Sequence, residues 1–192
     1  MTGRRHLVLV GLPGSGKSTI GNLASRRLGA AFSDIDLLVA AAAGRPVADI
    51  FVSLGEAEFR RLERAAVLGA LAAPPHLIAP GAGWIAEPGN LESAASSACI
   101  VYLRVLPETA AERLGPDDSR PLLRGGDRVA RLRELLERRE PWYRRAGREI
   151  DASGAADAVA EAVVAVAREL GGWGAGGLGS WGARAVPSSL GP

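Results

Sequence analysis

The residues of this chain best suited to chemistry form a glycine-rich loop with one lysine. Residues 11–19 read GLPGSGKST, which satisfies the pattern G-x-x-x-x-G-K-[ST] in full. Glycines let a backbone fold around an anion and turn successive N–H groups toward it. Lys17 then reaches the β- and γ-phosphates, and the Ser18 hydroxyl is placed to ligate Mg²⁺. The loop predicts a nucleoside triphosphate site with magnesium, whose phosphate contacts would be Gly14, Ser15, Gly16, Lys17, Ser18 and Thr19.

Composition narrows the class of phosphate-binding protein. The chain has 23 basic residues, and Lys17 is the only lysine among them. A guanine-specific GTPase would usually carry Asn-Lys-x-Asp, which needs a further lysine, so that class is excluded. Among the motor ATPases and small-molecule kinases that remain, the length of 192 residues favours a kinase like the nucleoside-monophosphate kinases.

The hydrophobic pattern places this loop between a strand and a helix. Residues 6–10 are an apolar run, and residues 18–28 have apolar positions at helical spacing. Further strands are predicted near residues 33–36, 77–79 and 99–105, and further helices at 37–43, 56–71, 107–114, 128–140 and 155–170. Ser53 and Glu56 have the spacing of a capping box, and Pro141 is expected to end its helix. Alternating strands and helices predict an α/β fold with three layers, a P-loop NTPase fold whose mostly parallel central sheet has helices on both faces.

The chain divides into a kinase domain at residues 1–170 and a tail at residues 171–192. The tail is so rich in glycine that we expect it to be disordered. A loop at about residues 114–127, rich in turn formers, is expected to be a mobile lid.

Charge and cysteine content set the expected surroundings. The net charge is only +2 and no block of like charges stands out, so nucleic acid is not an expected partner. The sequence has no run of eighteen apolar residues, and its first apolar segment is too short for a signal peptide core, so no membrane is expected. One cysteine, Cys99, excludes an internal disulfide framework and favours the reducing cytoplasm. We expect a monomer.

Further motifs follow the phosphate loop in a fixed order. They are Asp34-Ile-Asp36, GRPVADIF at residues 44–51, GEAEFRRLE at 55–63, RPLL at 120–123 and REPWY at 139–143. With these motifs, residues 7–170 resemble the shikimate kinases. The resemblance implies a nucleoside-monophosphate-kinase-like fold with a lid, and transfer of the γ-phosphoryl group of ATP to a hydroxyl of shikimate, giving 3-phosphoshikimate, a precursor of aromatic amino acids.

The resemblance also implies roles for single residues. Asp34 would help to hold Mg²⁺ through water, together with Ser18, and Asp36 would accept hydrogen bonds from the acceptor hydroxyls and act as the base. Arg120 in the lid would reach the transferring phosphoryl group, so that Lys17, Asp36 and Arg120 form the catalytic set. Arg113 would lie beside the adenine. The acceptor would contact Asp36, Arg60, Gly81, Ala82, Gly83 and Arg139, and the two arginines suit its carboxylate.

One motif departs from the family. Shikimate kinases have three glycines after the third strand, whereas residues 79–84 here read APGAGW. We expect Ala82 to take the positive φ of the missing glycine. The changed wall leaves alternatives open: an enzyme acting on another polyhydroxylated acid, such as a gluconate-like acid, or on a cyclitol, or a non-catalytic nucleotide-binding regulator.

Overall fold

A five-stranded parallel sheet forms the middle of this computed structural model, which describes residues 5–115, 127–171 and 173. Every neighbouring pair of strands is parallel, and the strand order is β2-β3-β1-β4-β5. The strands are β1 (His6–Val10), β2 (Phe32–Asp34), β3 (Leu77–Ala79), β4 (Ala98–Arg104) and β5 (Arg148–Asp151).

Helices connect the strands, as parallel pairing requires. Within the described ranges they are α1 (Lys17–Leu28), α2 (Ile35–Ala43), α3 (Val47–Ala72), α4 (Asn90–Ala95), α5 (Pro107–Leu114), α6 (Arg128–Tyr143) and α7 (Ala156–Glu169). A short 3₁₀ helix, Trp84–Ala86, follows β3.

The sheet carries a separate hydrophobic cluster on each face. Val8 and Val10 of β1 belong to one cluster with residues of α3 and α6, whereas Leu7 and Leu9 belong to the other with residues of α1 and α7. Successive strand residues point to opposite faces, so these apolar runs are buried on both sides. The α/β fold with three layers and helices on both faces is therefore confirmed.

Two helix boundaries differ from the sequence predictions. Helix α3 begins at Val47 rather than at a capping box, because Ser53 lies inside it and its hydroxyl donates to Asp49 O at 2.6 Å. Gly55, whose φ of 83° an alanine would rarely adopt, divides α3 into two helical segments, and the second segment agrees with the helix predicted at residues 56–71. Pro141 does not end α6, which continues to Tyr143.

Polarity explains why the sequence pattern did not predict β5, and shortness explains why it did not predict α4. Strand β5 has exposed residues at the edge of the sheet and pairs only with β4 among the described strands, so it lacks the apolar run of a central strand. Helix α4 has six residues, too few for a clear helical period.

Two further expectations concern the chain ends and the lid. Trp173, expected within a disordered tail, is 2% exposed and packs in the cluster that contains α1 and α7. The predicted lid residue Arg120 and the rest of the predicted tail lie outside the described residues.

Within the described ranges no single helix is long and apolar enough to cross a membrane, and only α2 and α3 together, bent by 89°, meet the length and composition of a span.

Candidate active site

The predicted site residues meet at the carboxyl ends of β1, β2 and β3. Connections leave the sheet there, as they do at the ligand crevices of open parallel sheets. A cavity of about 340 Å³ lies at this edge. It is lined by Gly14, Gly16, Lys17, Ser18, Thr19, Ile20, Asp34, Asp36, Ala79, Pro80, Gly81, Ala82, Arg113, Leu114, Gly154 and Ala156.

The phosphate loop has the close-packed geometry that its glycines permit. Gly14 has φ 81°, and a Cβ there would collide with the backbone of Ala110 on α5. Lys17 opens α1 and is 9% exposed. Its ammonium donates to Gly11 O at 2.9 Å and to Leu12 O at 3.0 Å, and these two bonds hold the charge over the loop. The N-terminus of α1 adds its positive dipole end to the same place, which favours a bound phosphate.

Ser18 and Asp34 meet beside the loop. The Ser18 hydroxyl donates to Asp34 Oδ2 at 2.5 Å, which joins the start of α1 to the end of β2. The other oxygen of Asp34 accepts from Leu37 N at 3.3 Å, so the same carboxylate caps α2. A hydroxyl and a carboxylate are hard oxygen donors, which fit Mg²⁺. Among the described residues no group of three or more His, Cys, Asp or Glu side chains could hold a metal by itself, and Mg²⁺ commonly takes its remaining ligands from substrate phosphates and water.

A buried carboxylate lies under the part of the cavity wall that contains Gly81. Glu63 on α3 is 1% exposed, and burial raises the pKa of its carboxyl group, an effect that the Arg60 guanidinium beside it opposes. A Cβ on Gly81 would collide with Glu63 Oε1 and would lie 3.2 Å from Asp36 Oδ1. Gly81 therefore brings its backbone close to two carboxylates, one of which is the predicted base. Glu63 therefore lies against this part of the cavity wall, and the sequence analysis included it only as the last residue of the motif at 55–63.

Two arginines from different helices lie at Gly83. A Cβ on Gly83 would lie 2.6 Å from an Nη atom of Arg60 on α3 and 3.1 Å from an Nη atom of Arg139 on α6. Arg60 is held by Glu63 at 2.7 Å and by Glu56 at 3.0 Å. The predicted pair of arginines is thus brought together, next to the cavity wall formed by residues 81 and 82.

The expected positive φ at Ala82 is wrong. No residue other than glycine has a positive φ in the described chain, and Gly81 and Gly83 also have negative φ. The glycines are needed for a different reason, namely the space that a Cβ would take from Glu63 at position 81 and from the arginines at position 83. Ala82 fits between them without backbone strain, so the alanine does not by itself prevent this wall of the cavity from forming.

The cavity wall around Arg113 includes a loop that the sequence analysis did not predict. Arg113 lines the cavity, and its guanidinium donates to Ala152 O at 2.7 Å and to Ser153 O and Gly154 O at 3.0 Å each. These carbonyls follow β5, and Gly154 and Ala156 line the cavity with Arg113. Because β5 has no clear apolar pattern, the loop after it had no signal except its own Ser-Gly turn residues. The adenine contact of Arg113 stays a prediction.

Comparisons with known proteins identify the family that this chain resembles. A family model described as shikimate kinase matches residues 13–168. The chain is 44% identical over 139 residues to a shikimate kinase of Mycobacterium avium, covering 72% of this chain and 78% of that one. It is 41% identical over 149 residues to a shikimate kinase of Caldanaerobacter subterraneus, covering 78% and 87%. A solved shikimate kinase of Acinetobacter baumannii in complex with shikimate has a TM-score of 0.81 at 31% identity, covering 84% and 92%. A gluconokinase of Sinorhizobium meliloti, at 18% identity and a TM-score of 0.57, shares the fold.

Proposed function

The chain belongs to the shikimate kinase family, and we propose that its cavity transfers the γ-phosphoryl group of ATP to a hydroxyl of shikimate, giving 3-phosphoshikimate. The observation that carries this proposal is the meeting of a phosphate loop, a half-buried aspartate and two arginines at one edge of the sheet. A relative solved with shikimate supports the choice of acceptor.

The phosphate loop would bind and orient the nucleotide. Its backbone N–H groups, the start of α1 and the Lys17 ammonium put positive charge where the β- and γ-phosphates gain negative charge during transfer. On binding, the ammonium would exchange Gly11 O and Leu12 O for phosphate oxygens. Arg113 and the loop at residues 152–154 would lie at the base end of the nucleotide. Arg120 keeps its proposed role at the transferring group.

Ser18 and Asp34 would hold Mg²⁺. The ion would supply charge neutralisation of the β- and γ-phosphate oxygens. Asp34 suits a role through water, because its second oxygen is already committed to Leu37 N at the start of α2.

Asp36 would accept the proton of the attacking hydroxyl. It lies in the first turn of α2 and lines the cavity beside Gly81. The buried Glu63 carboxyl group lies nearby, and the negative charge of Asp36 helps to raise the pKa of Glu63. Phosphoryl transfer depends mostly on positioning, so a correctly placed acceptor of modest basicity suffices.

The carboxylate of the acceptor would bind Arg60 and Arg139. Arg60 is a preorganised donor because Glu63 and Glu56 already hold its guanidinium. Two guanidinium groups from separate helices make a charge-assisted fork for one planar carboxylate.

An ADP-release assay tests the function. ATP, Mg²⁺ and one acceptor at a time are supplied from a panel of shikimate, an aldonic acid, a cyclitol and a version of shikimate with its carboxylate esterified. We expect turnover with shikimate far above the others. Turnover only with an aldonic acid or a cyclitol would replace the acceptor, and nucleotide binding without any turnover would indicate a regulator.

Neighbouring arginines on α3 give a matched pair for the carboxylate role. Arg60→Ala should raise the KM for shikimate at least tenfold and leave the KM for ATP nearly unchanged, because a charge-assisted hydrogen bond contributes about 1.5–3 kcal/mol. Arg61→Ala removes an exposed arginine that pairs with Glu58 at 2.7 Å, and should change neither constant. Equal effects in the two variants would remove Arg60 from the acceptor site.

We also propose that the protein acts as a monomer in the reducing cytoplasm. Its single thiol, Cys99, is 9% exposed and packs in the cluster with α1 and α7, which fits a free cysteine of a reducing compartment.

A further inference from the structure

A buried tyrosine supports the acceptor loop at residues 81–83. Tyr143 is the last residue of α6 and is 0% exposed. Its hydroxyl donates to Ala82 O at 2.6 Å, although 61 residues separate the two along the chain. Its ring stacks on Tyr102 of β4, with the centroids 5.0 Å apart and the planes 17° apart. Because the ring belongs to α6 and stacks on a residue of β4, its hydroxyl is held in one position.

The Ala82 carbonyl accepts its hydrogen bond from a different kind of donor than the carbonyls of the two adjacent glycines do. Gly81 O accepts from Trp84 N at 3.1 Å and Gly83 O accepts from Ala86 N at 3.1 Å, so both are held by local turns. Ala82 O is held by a side chain from another layer of the fold. In a planar trans peptide the C=O and the following N–H point in opposite directions. The bond from Tyr143 therefore also sets the direction of the Gly83 N–H.

The same hydroxyl lies beside one of the acceptor arginines. Burial raises the pKa of Tyr143 far above its ordinary value, and the Arg139 guanidinium offsets part of that rise, as a cation near the phenol oxygen does. The phenol stays protonated at all working pH values, so its proton remains available to Ala82 O. An Nη atom of Arg139 in turn lies 3.1 Å from the position of a Cβ on Gly83.

We propose that Tyr143 is a positioning residue for the acceptor: its hydroxyl sets the orientation of the Ala82–Gly83 peptide and of the Arg139 guanidinium together. The proposal rests on the proposed function, because it takes residues 81–83 and Arg139 as the acceptor half of the site. It predicts an effect on acceptor binding that is separate from nucleotide binding and from packing.

Two tyrosines of one stack provide the test. Tyr143→Phe removes the hydroxyl that bonds Ala82 O, whereas Tyr102→Phe removes a buried hydroxyl that has no hydrogen-bond partner among the described residues. We expect Tyr143→Phe to raise the KM for shikimate about five- to tenfold, the size expected when a buried carbonyl loses its donor. The KM for ATP should stay unchanged, and Tyr102→Phe should leave both constants unchanged.

Shikimate-induced stabilisation gives a second readout that needs no turnover. The rise in Tm that a fixed shikimate concentration produces should be smaller in Tyr143→Phe than in wild type and Tyr102→Phe. In a double-mutant cycle, Tyr143→Phe should cost less in an Arg139→Ala background than in wild type, because part of its effect passes through Arg139.

The failures can be told apart. If wild type neither phosphorylates shikimate nor is stabilised by it, the proposed function fails. If wild type does both and Tyr143→Phe matches Tyr102→Phe, the positioning role is overturned. A Tyr143→Phe variant that raises the KM for ATP as much as that for shikimate, with a lower Tm, also overturns it, because that pattern indicates a loss of packing alone.

Discussion

Ser18 and Asp34 share a hydrogen bond of 2.5 Å that joins the phosphate loop to the end of β2. The first lies at the start of α1 and the second at the start of α2, so each also depends on the helix that follows it. One carboxylate therefore serves two purposes, since Asp34 Oδ2 meets Ser18 while Oδ1 caps α2. The two purposes can be separated by the choice of substitution.

Asp34→Asn should impair magnesium use without unfolding α2. An asparagine retains an oxygen for the cap but loses the charge, and outer-shell partners of a metal are typically worth roughly 10–100-fold in metal affinity or activity. We expect the Mg²⁺ concentration for half-maximal activity to rise by an amount in that range, with Tm unchanged. Asp34→Ala should show the same kinetic loss and also lose about 1 kcal/mol of unfolding free energy, because the cap is gone. Equal Mg²⁺ dependence in wild type and Asp34→Asn would contradict the metal role.

Lys17 can be tested by chemistry as well as by mutation, because the chain has no other lysine. An amine-reactive reagent followed by peptide mass spectrometry should label Lys17 slowly, since the side chain is 9% exposed, and ATP with Mg²⁺ should protect it further. Shikimate alone should protect it little. Lys17→Ala should lower kcat by at least about a hundredfold, the usual cost of one donor to developing charge, with the fold retained. Labelling at an equal rate with and without ATP would contradict the phosphate contact.

Ala82→Gly should now weaken acceptor binding. Because φ at Ala82 is not positive, glycine relieves no strain and adds only backbone freedom, which costs about 0.5–1 kcal/mol relative to alanine. The expected result is a KM for shikimate raised two- to fivefold at saturating ATP. A lower KM in Ala82→Gly would mean that the loop takes another conformation when it binds the acceptor.

The phosphate loop could be read from the sequence because its function fixes a contiguous pattern. Glycines, one lysine and one serine at set spacing have a meaning that does not depend on the rest of the fold. The central strands could be predicted for a similar reason, since burial on both faces demands apolar runs such as His6–Val10 and Ala98–Arg104.

The remaining contacts depend on distant segments. Glu63 lies under Gly81, and Tyr143 donates a hydrogen bond to Ala82 O. Both contacts follow from how α3 and α6 pack on the sheet, which no local spacing in the sequence encodes. The prediction of a positive φ at Ala82 was wrong because a run of three glycines suggests an unusual backbone conformation. Here the two flanking glycines are required for another reason, since neighbouring side chains come too close to leave room for a Cβ. The loop after β5 was missed because its strand is exposed and polar.

Trp173 changes what is expected of the chain end. Its indole is 2% exposed in the cluster with α1 and α7, so removing it should leave a cavity. Truncation after Leu170 should cost about 3 kcal/mol, as a buried tryptophan typically does, and lower Tm by several degrees. Truncation after Trp173 is the control, and we expect its Tm to stay near that of the full chain. Identical Tm values for the two truncations would show that Trp173 contributes nothing in solution.

The two histidines should make stability fall in mild acid. His6 and His76 are the only two in the sequence, and they lie together at the edge of the sheet opposite the cavity, with ring centroids 5.0 Å apart. His6 Nδ1 accepts from His76 N at 3.3 Å, and the His76 ring lies 2.9 Å from Pro74 O and 3.0 Å from Ser33 Oγ. Burial lowers the pKa of both rings from the ordinary 6.5, and for His6 the neighbouring His76 lowers it further.

Because both pKa values are lower in the folded chain, the unfolded chain binds more protons once the pH falls below about 6.5. The unfolding free energy should therefore be steady above that pH and decrease below it, by at most about 1.4 kcal/mol per pH unit for each histidine. Urea unfolding at a series of pH values between about 5 and 7.5 measures the slope. His76→Gln, which retains groups that can bond Ser33 Oγ and Pro74 O, should show a shallower slope, and the same slope in both proteins would mean that His76 does not contribute to the pH dependence.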